Sequence, residues 1–262
     1  MPDDFESSIA RMDIRLFAAI ASQTTDGDKR SLLACQLAVR SPGTPYHYLE
    51  IGSYLGGSLQ PHVLDPLCAS IVSIDRRPTV HADEGGVSNT YADNSTQRML
   101  AKLRAISEQG ATKIRCIDAD ASNIDTATIP VAPQLCFIDG EHTDSAVWSD
   151  YTFCRSVLSH DGAILFHDAS IVYRGLFKIM QALRQEGADF RAYALPDSVF
   201  VIEFNGLRLH EFPAIHSMLI NNHEAFLASL RQNDHFRQFA NRLPFRVLRQ
   251  IKARITGART YR

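Results

Sequence analysis

The chain has 262 residues, 45% of them apolar and 21% charged, and a net charge of −2 at pH 7. At roughly 150 residues per domain, it is one large domain with an extension or two small ones, with core enough to fold without a disulfide or metal staple. Disorder, a collagen-like repeat and a fibrous array are excluded. No window approaches about 18 uninterrupted apolar residues, and Met1-Pro2-Asp3-Asp4 is acidic where a secretory leader would be basic, so the expected location is the cytoplasm.

Residues 1–44 read as an N-terminal helical cap, in which two helices are broken near Thr24-Thr25-Asp26-Gly27. From Tyr46 to about residue 206, short β-rich runs alternate with helical patterns, the signature of a parallel sheet covered by helices. Strands are expected at Tyr46–Ile51, Ala69–Asp75, Lys113–Asp118, Pro133–Asp139, Gly162–His167, Phe190–Leu195 and Val199–Phe204. Helices are expected at Ser58–Leu67, Ser95–Gln109, Asp144–Leu158 and Gly175–Glu186. Only Pro196-Asp197-Ser198 separates the last two strands, too few residues for a crossover helix, so they form an antiparallel hairpin. The fold class is therefore α/β: a Rossmann-like seven-stranded sheet of five parallel strands and a C-terminal hairpin, with helices on both faces.

The stretch Asp83–Asn94, rich in Gly, Asp and Asn, reads as a flexible loop. Residues 207–262 read as a helical extension, with helices at Phe212–Ser229 and Pro244–Ile255. The extension ends in a basic tail. Residues 236–262 carry eight Arg or Lys and no acid, which leaves 19 basic against 29 acidic residues before them, a body of −10. Such a tail fits a helix drawn to anionic lipid at the inner membrane face or a face packed on another subunit of a homo-oligomer. No nucleic-acid partner is expected. Five cysteines without a C-x-x-C pair read as reduced, packed thiols.

Chemistry concentrates at the strand ends. Leu49-Glu50-Ile51-Gly52-Ser53-Tyr54-Leu55-Gly56-Gly57-Ser58 places glycines at a strand-to-helix turn, where a ligand can approach the backbone. The spacing is G-x-x-x-G-G rather than the G-x-G-x-x-G of dinucleotide binders, and Glu50 suits a cationic ligand better than a pyrophosphate. Asp75, 23 residues beyond Gly52, is placed to hydrogen-bond ribose hydroxyls. Asp120 follows the third strand and is a candidate acceptor for an adenine amino group.

These elements resemble the class I S-adenosylmethionine-dependent methyltransferases over about residues 46–206. Two further motifs, Phe137-Ile138-Asp139-Gly140-Glu141-His142 and Gly162-Ala163-Ile164-Leu165-Phe166-His167-Asp168, are similar to a bacterial subfamily of metal-dependent sugar O-methyltransferases of the macrocin, mycinamicin and aminocoumarin-sugar type. The resemblance implies that Glu50, Gly52, Ser53, Gly56, Ser58, Asp75, Asp120 and Asp139 bind S-adenosylmethionine. It implies that Asp139 and Asp168 hold Mg²⁺ and that His142 is the catalytic base. The chemistry is coherent, since a sugar hydroxyl is a poor nucleophile until its pKa is lowered and its proton taken. Related enzymes often carry a second acidic or amide ligand directly after the fifth-strand aspartate. Here that position is Ala169, so completion falls to Glu141, to His167 or to neither.

The function expected is O-methylation of a small-molecule or glycan acceptor. A catechol- or phenol-type acceptor is the second reading, and a non-catalytic S-adenosylmethionine-binding scaffold of a polysaccharide assembly system is the third. Trp148, Tyr173 and Arg174 are candidates to line the acceptor pocket.

Overall fold

Runs of Val, Ile, Leu, Tyr and Phe long enough to be buried on both faces build the sheet, as a parallel sheet between helices requires. Its strands, with a small hairpin between them in the chain, are β1 (Tyr46–Ile51), β2 (Cys68–Ile74), β3 (Val80–Ala82), β4 (Ser88–Thr90), β5 (Ile114–Ile117), β6 (Leu135–Ile138), β7 (Ala163–Phe166), β8 (Phe190–Ala194) and β9 (Phe200–Phe204). Every residue of β6, β7 and β9 is buried. The order across the sheet is β5-β2-β1-β6-β7-β9-β8, with β7–β9 and β8–β9 antiparallel and the rest parallel. This is the expected α/β fold with its C-terminal hairpin.

The computed structural model describes residues 4–40, 43–77, 80–84, 88–240, 243 and 247. The chain divides into two units, Met1–His223 and Glu224–Arg262. In the first, α1 (Phe5–Ala10), a 3-10 turn at Ile14–Phe17 and α2 (Asp26–Arg40) precede the sheet; α3 (Gln60–Leu64), α4 (Thr96–Ile106), α5 (Glu108–Ala111), α6 (Asp144–Val157), α7 (Tyr173–Glu186) and α8 (Pro213–His216) connect and follow the strands. The second carries nearly all of α9 (His223–Ala240). Among the described residues no helix is long and apolar enough to cross a membrane, and all five cysteines are free.

Register positions the chemistry. Ile51 pairs with Ile74 and with Ile138, and Ile138 with Phe166, so β1, β2, β6 and β7 end level. The next residues, Gly52, Asp75, Asp139 and His167, therefore gather along one edge, at the point where strand order reverses between β1 and β6. The N-terminal segment is fixed beside that edge by the buried Gln60. Its side-chain amide donates to the carbonyls of Phe17, Ile20 and Gly57, and its oxygen accepts from Ile20 N–H.

Four expectations need correction. The loop expected at Asp83–Asn94 holds β4, paired antiparallel with β3, with Val80 opposite Thr90 and Ala82 opposite Ser88. The helix expected over Ser58–Leu67 shrinks to the five residues of α3. The helix expected over Ser95–Gln109 breaks at Ser107, whose extended backbone lets its hydroxyl cap α5 by accepting from Gly110 N–H. The helix expected over Phe212–Ser229 is interrupted between α8 and α9, where Ile220 bridges to Ala194. The Pro244–Ile255 helix and most of the basic tail lie outside the described residues.

Candidate active site

A cleft of about 250 Å³ runs along the strand ends, its walls including Gly52, Asp75, Arg76, Asp120, Asp139 and Asp150. A narrower recess of about 40 Å³ shares Gly52, Tyr54, Tyr91 and Asp139 with it. This recess lies between Ala21–Thr24 on one side and Ser53, Gly57 and Ser58 on the other.

The glycine turn forms one wall. Gly52 has φ +93°, and a Cβ there would run into the Asp139 carbonyl oxygen, so only glycine lets β1 and β6 end this close. Gly56 also takes positive φ, at +84°. Ser53 and Ser58 line the recess; Ser53 Oγ accepts from Ser73 Oγ at 2.9 Å. Glu50 is placed differently from what its motif implied. It is fully buried behind the wall, accepting from Ser58 Oγ at 2.6 Å and Tyr48 Oη at 2.7 Å. Burial pushes its carboxyl up to about 7 against the pull of those two hydroxyls.

Asp75 reaches the cleft, but it also holds the turn. Oδ2 accepts from Tyr54 N–H at 2.8 Å and from Arg77 Nη1 at 3.3 Å, and Oδ1 accepts from Arg77 N–H at 2.6 Å. Asp120 caps a 3-10 turn through Ser122 N–H and Oγ and is partly exposed. Across the mouth, Arg76 bonds Glu141 at 2.9 Å and faces Asp120 at 3.6 Å. Asp150, on the cleft-facing side of α6, is 7% exposed, and burial together with the charges of Asp120 and Glu141 pushes it up to about 7.

At the ends of β6 and β7, Asp139, His142 and Asp168 come together. His142 Nε2 lies 3.2 Å from Asp168 Oδ2 and 3.7 Å from Asp139 Oδ1. His142 is seated just ahead of α6, which Thr143 caps, and Glu84 ties it down. The Glu84 N–H donates to the His142 carbonyl and Glu84 Oε1 accepts from Asp144 N–H.

His167 joins from below. Its Nδ1 lies 2.9 Å from Asp139 Oδ1 and 3.2 Å from Asp168 Oδ2, while its Nε2 meets Asp28 Oδ2 at 3.2 Å. Asp28 is 1% exposed and comes from the first turn of α2, where it and Thr25 cap each other reciprocally. Its other oxygen accepts from Ser198 N–H and Oγ. Burial opposes charge on all these groups, yet their mutual attraction prevails. His167 is held well above the ordinary histidine value by its three carboxylates, and His142 is raised by Asp139 and Asp168. Asp139 and Asp28 are lowered by the facing imidazoles.

The donor set fits a divalent cation: Asp139, His142 and Asp168 each bring a ligand atom within 4.8 Å of the others, and His167 Nδ1, a buried polar atom with no aligned hydrogen bond, lies 2.9 and 3.2 Å from the two carboxylates. Ala169 is fully buried and its N–H donates to Ser198 carbonyl, so it offers the site nothing. Glu141 is engaged with Arg76. Tyr173 is buried, and Trp148 lies under Lys178 Nζ at 3.9 Å; neither lines the cleft. Sequence reasoning missed Asp28, Arg76 and Asp150. Only Asp28 had a local signal, the Thr25-x-x-Asp28 capping pattern.

Residues 49–169 match the profile of a family described as a methyltransferase domain. The matched span runs from β1 through the Asp168 turn and marks this part of the chain as a methyltransferase domain. No curated protein matches the chain. Among solved structures, cofactor-bound Rv0187 from MTB is similar at 12% identity over 79% of this chain and 91% of that one, with a TM-score of 0.50. The O-methyltransferase TomG from Streptomyces achromogenes, involved in tomaymycin synthesis, is 12% identical over 78% and 90%, with a TM-score of 0.49. The calicheamicin methyltransferase CalS11 is 14% identical over 78% and 93%, with a TM-score of 0.48. The likeness to Rv0187 is one of fold.

Proposed function

From a core that is a methyltransferase domain, we propose that the chain moves a methyl group from S-adenosylmethionine to a hydroxyl, with a sugar or glycosylated product as acceptor and a divalent metal assisting. The observation that carries this reading is the convergence of His142 and Asp168 on Asp139, which lines the cleft together with Gly52 and Asp75. The cleft takes the adenosine, with Asp75 Oδ1 free to accept a further hydrogen bond from a ribose hydroxyl, and the acidic groups along it favour a sulfonium cation over its neutral product.

Asp139 and Asp168 would hold the metal, which was expected from sequence to be Mg²⁺ and which supplies charge that lowers the pKa of an acceptor hydroxyl. His142 faces that pair and, in its neutral form, accepts the hydroxyl proton at Nε2. The acceptor oxygen then forms its bond to the methyl carbon as the carbon–sulfur bond breaks, its electron pair passing to sulfur to leave S-adenosylhomocysteine, with inversion at carbon. The recess wall from Ala21 to Thr24 and the Tyr54–Tyr91 ring pair, with centroids 5.2 Å apart, exclude water from the sulfonium end. That aromatic pair also keeps a phenol or catechol acceptor as the second reading.

The test is transfer of labelled methyl from S-adenosylmethionine to panels of sugar and catechol hydroxyls, with and without excess chelator. Labelled sugar products, lost on chelation, are expected. Full activity in chelator would remove the metal. Donor binding with no labelled product on any hydroxyl would favour the scaffold reading.

A further inference from the structure

The turn after β7 does something an ordinary strand end cannot. Successive residues of a strand point to opposite faces, yet His167 Nδ1 and Asp168 Oδ2 lie 3.2 Å apart. The cause is Asp168, whose φ of +50° is in the left-handed region, where a non-glycine residue is strained. That kink brings two consecutive side chains onto Asp139 together. It also brings the preceding residue to the site where the following one, Ala169, has no donor.

The His167 ring is arranged as a metal-bound imidazole is. A ligating histidine usually gives its second ring N–H to a carboxylate, which fixes the tautomer and the ring plane. Asp28 fills that place at Nε2, and is itself locked by Thr25 and Ser198. Nδ1 is buried and close to two carboxylate oxygens, 2.9 and 3.2 Å away, but aligned for a hydrogen bond with neither. Ligand atoms about 2.1 Å from a shared ion and at right angles to each other lie about 3.0 Å apart, which matches both distances. A nitrogen directed at a centre between two oxygens would show this misalignment.

We propose that His167 Nδ1, seated on Asp28, is the third protein ligand of the metal beside Asp139 and Asp168, and that it makes the site prefer a first-row divalent ion such as Mn²⁺ to Mg²⁺. The preference follows from chemistry: Mg²⁺ favours oxygen donors and retained waters, whereas an imidazole nitrogen adds affinity for the later ions. This inference rests on the metal-assisted reading above. In it, Asp28 is a positioning residue that acts through His167 and ties the segment ahead of the sheet to the metal.

Calorimetric titration of the chelator-stripped full-length chain with MnCl₂ and with MgCl₂ tests it. The wild type should bind Mn²⁺ at least about tenfold more tightly than Mg²⁺. His167→Ala should erase that preference, and Asp28→Asn should weaken Mn²⁺ binding by roughly 10- to 100-fold, the range for second-sphere partners. Electron spin echo modulation from an imidazole nitrogen on bound Mn²⁺ should weaken in the His167 variant. The rise in melting temperature with S-adenosylhomocysteine should persist in both variants, as proof of fold and donor site; if His167→Ala lacks it, Asp28→Asn and the wild-type echo decide. Equal affinity for the two ions, or Mn²⁺ binding and echo unchanged in the variants, overturns the proposal and leaves an Asp139–Asp168 site. No binding of either ion while S-adenosylhomocysteine still binds overturns the metal-assisted reading as well, and makes His167 a cationic counter-charge.

Discussion

The donor half of the cleft takes its parts from the connections after β1, β2 and β5: Gly52 to Ser58, Asp75 to Arg77, and Asp120. The half proposed to hold a metal joins the residues after β6 and β7 to Asp28, which lies 139 residues from its partner His167. In the first half, function follows from motifs read within one turn of chain. In the second, a pair of recognisable aspartates is completed by a contact that only the folded chain creates. If the division is real, damage to one half should spare the other.

The largest expected effect is on turnover alone. His142→Ala should lower turnover by roughly 10² to 10⁴, the usual worth of a general base, with S-adenosylhomocysteine affinity within about threefold of wild type. A variant that turns over normally, or loses binding in parallel, would break the separation between the halves.

Gly52→Ala strikes the seam itself. It forces a side chain into a φ of +93° and against the Asp139 carbonyl, so it should cost at least about 2 kcal/mol in stability. Chemical denaturation gives the value, and a neutral result would mean that the two strand ends can separate freely.

Asp75→Asn keeps the size of the side chain but gives up charge-assisted acceptance and replaces one of the two oxygens that accept from backbone N–H groups with a donor. It should weaken S-adenosylhomocysteine binding by about 1.5–3 kcal/mol in a calorimetric titration, with no change in metal affinity. Metal affinity falling with it would contradict the independence of the two halves.

The smallest effect is on pH dependence. Asp150 is pushed up to about 7, so the native state keeps a proton that the unfolded chain sheds near the ordinary carboxylate value. Protons bound in excess by the native state mean stability that falls as pH rises from about 4 to about 7. Asp150→Asn removes that dependence, so its melting temperature relative to wild type should climb between pH 5 and pH 8, toward a gain of about 1–3 kcal/mol. A constant difference across that range would show that Asp150 is ionised throughout.

How far the sequence could be read follows the same division. The five parallel strands and the closing hairpin were legible because most strands are apolar runs and the last linker, Pro196-Asp197-Ser198, is too short for a crossover. Gly52 and Asp75 were legible because they sit at fixed offsets from β1. Asp139, His142 and Asp168 were legible through resemblance, and the structure brings the three together. Asp28 was visible only as a helix cap, since nothing within its own turn signals that its carboxylate also meets a histidine at the far end of the sheet. Asp150 looked like any acid on an amphipathic helix until the fold closed over it. The placement of Glu50 behind the cleft wall depends on Tyr48 and Ser58 both turning toward it, which spacing does not specify.

The central claim is that the cleft is built for an adenosyl sulfonium donor. A calorimetric titration of the full-length protein with S-adenosylhomocysteine, run beside one with NAD, tests it most directly. The account predicts saturable binding of S-adenosylhomocysteine at one site per chain, weakened in Asp75→Asn, and no heat with NAD. Binding of NAD in its place, or S-adenosylhomocysteine affinity unchanged by loss of the Asp75 charge, would contradict it.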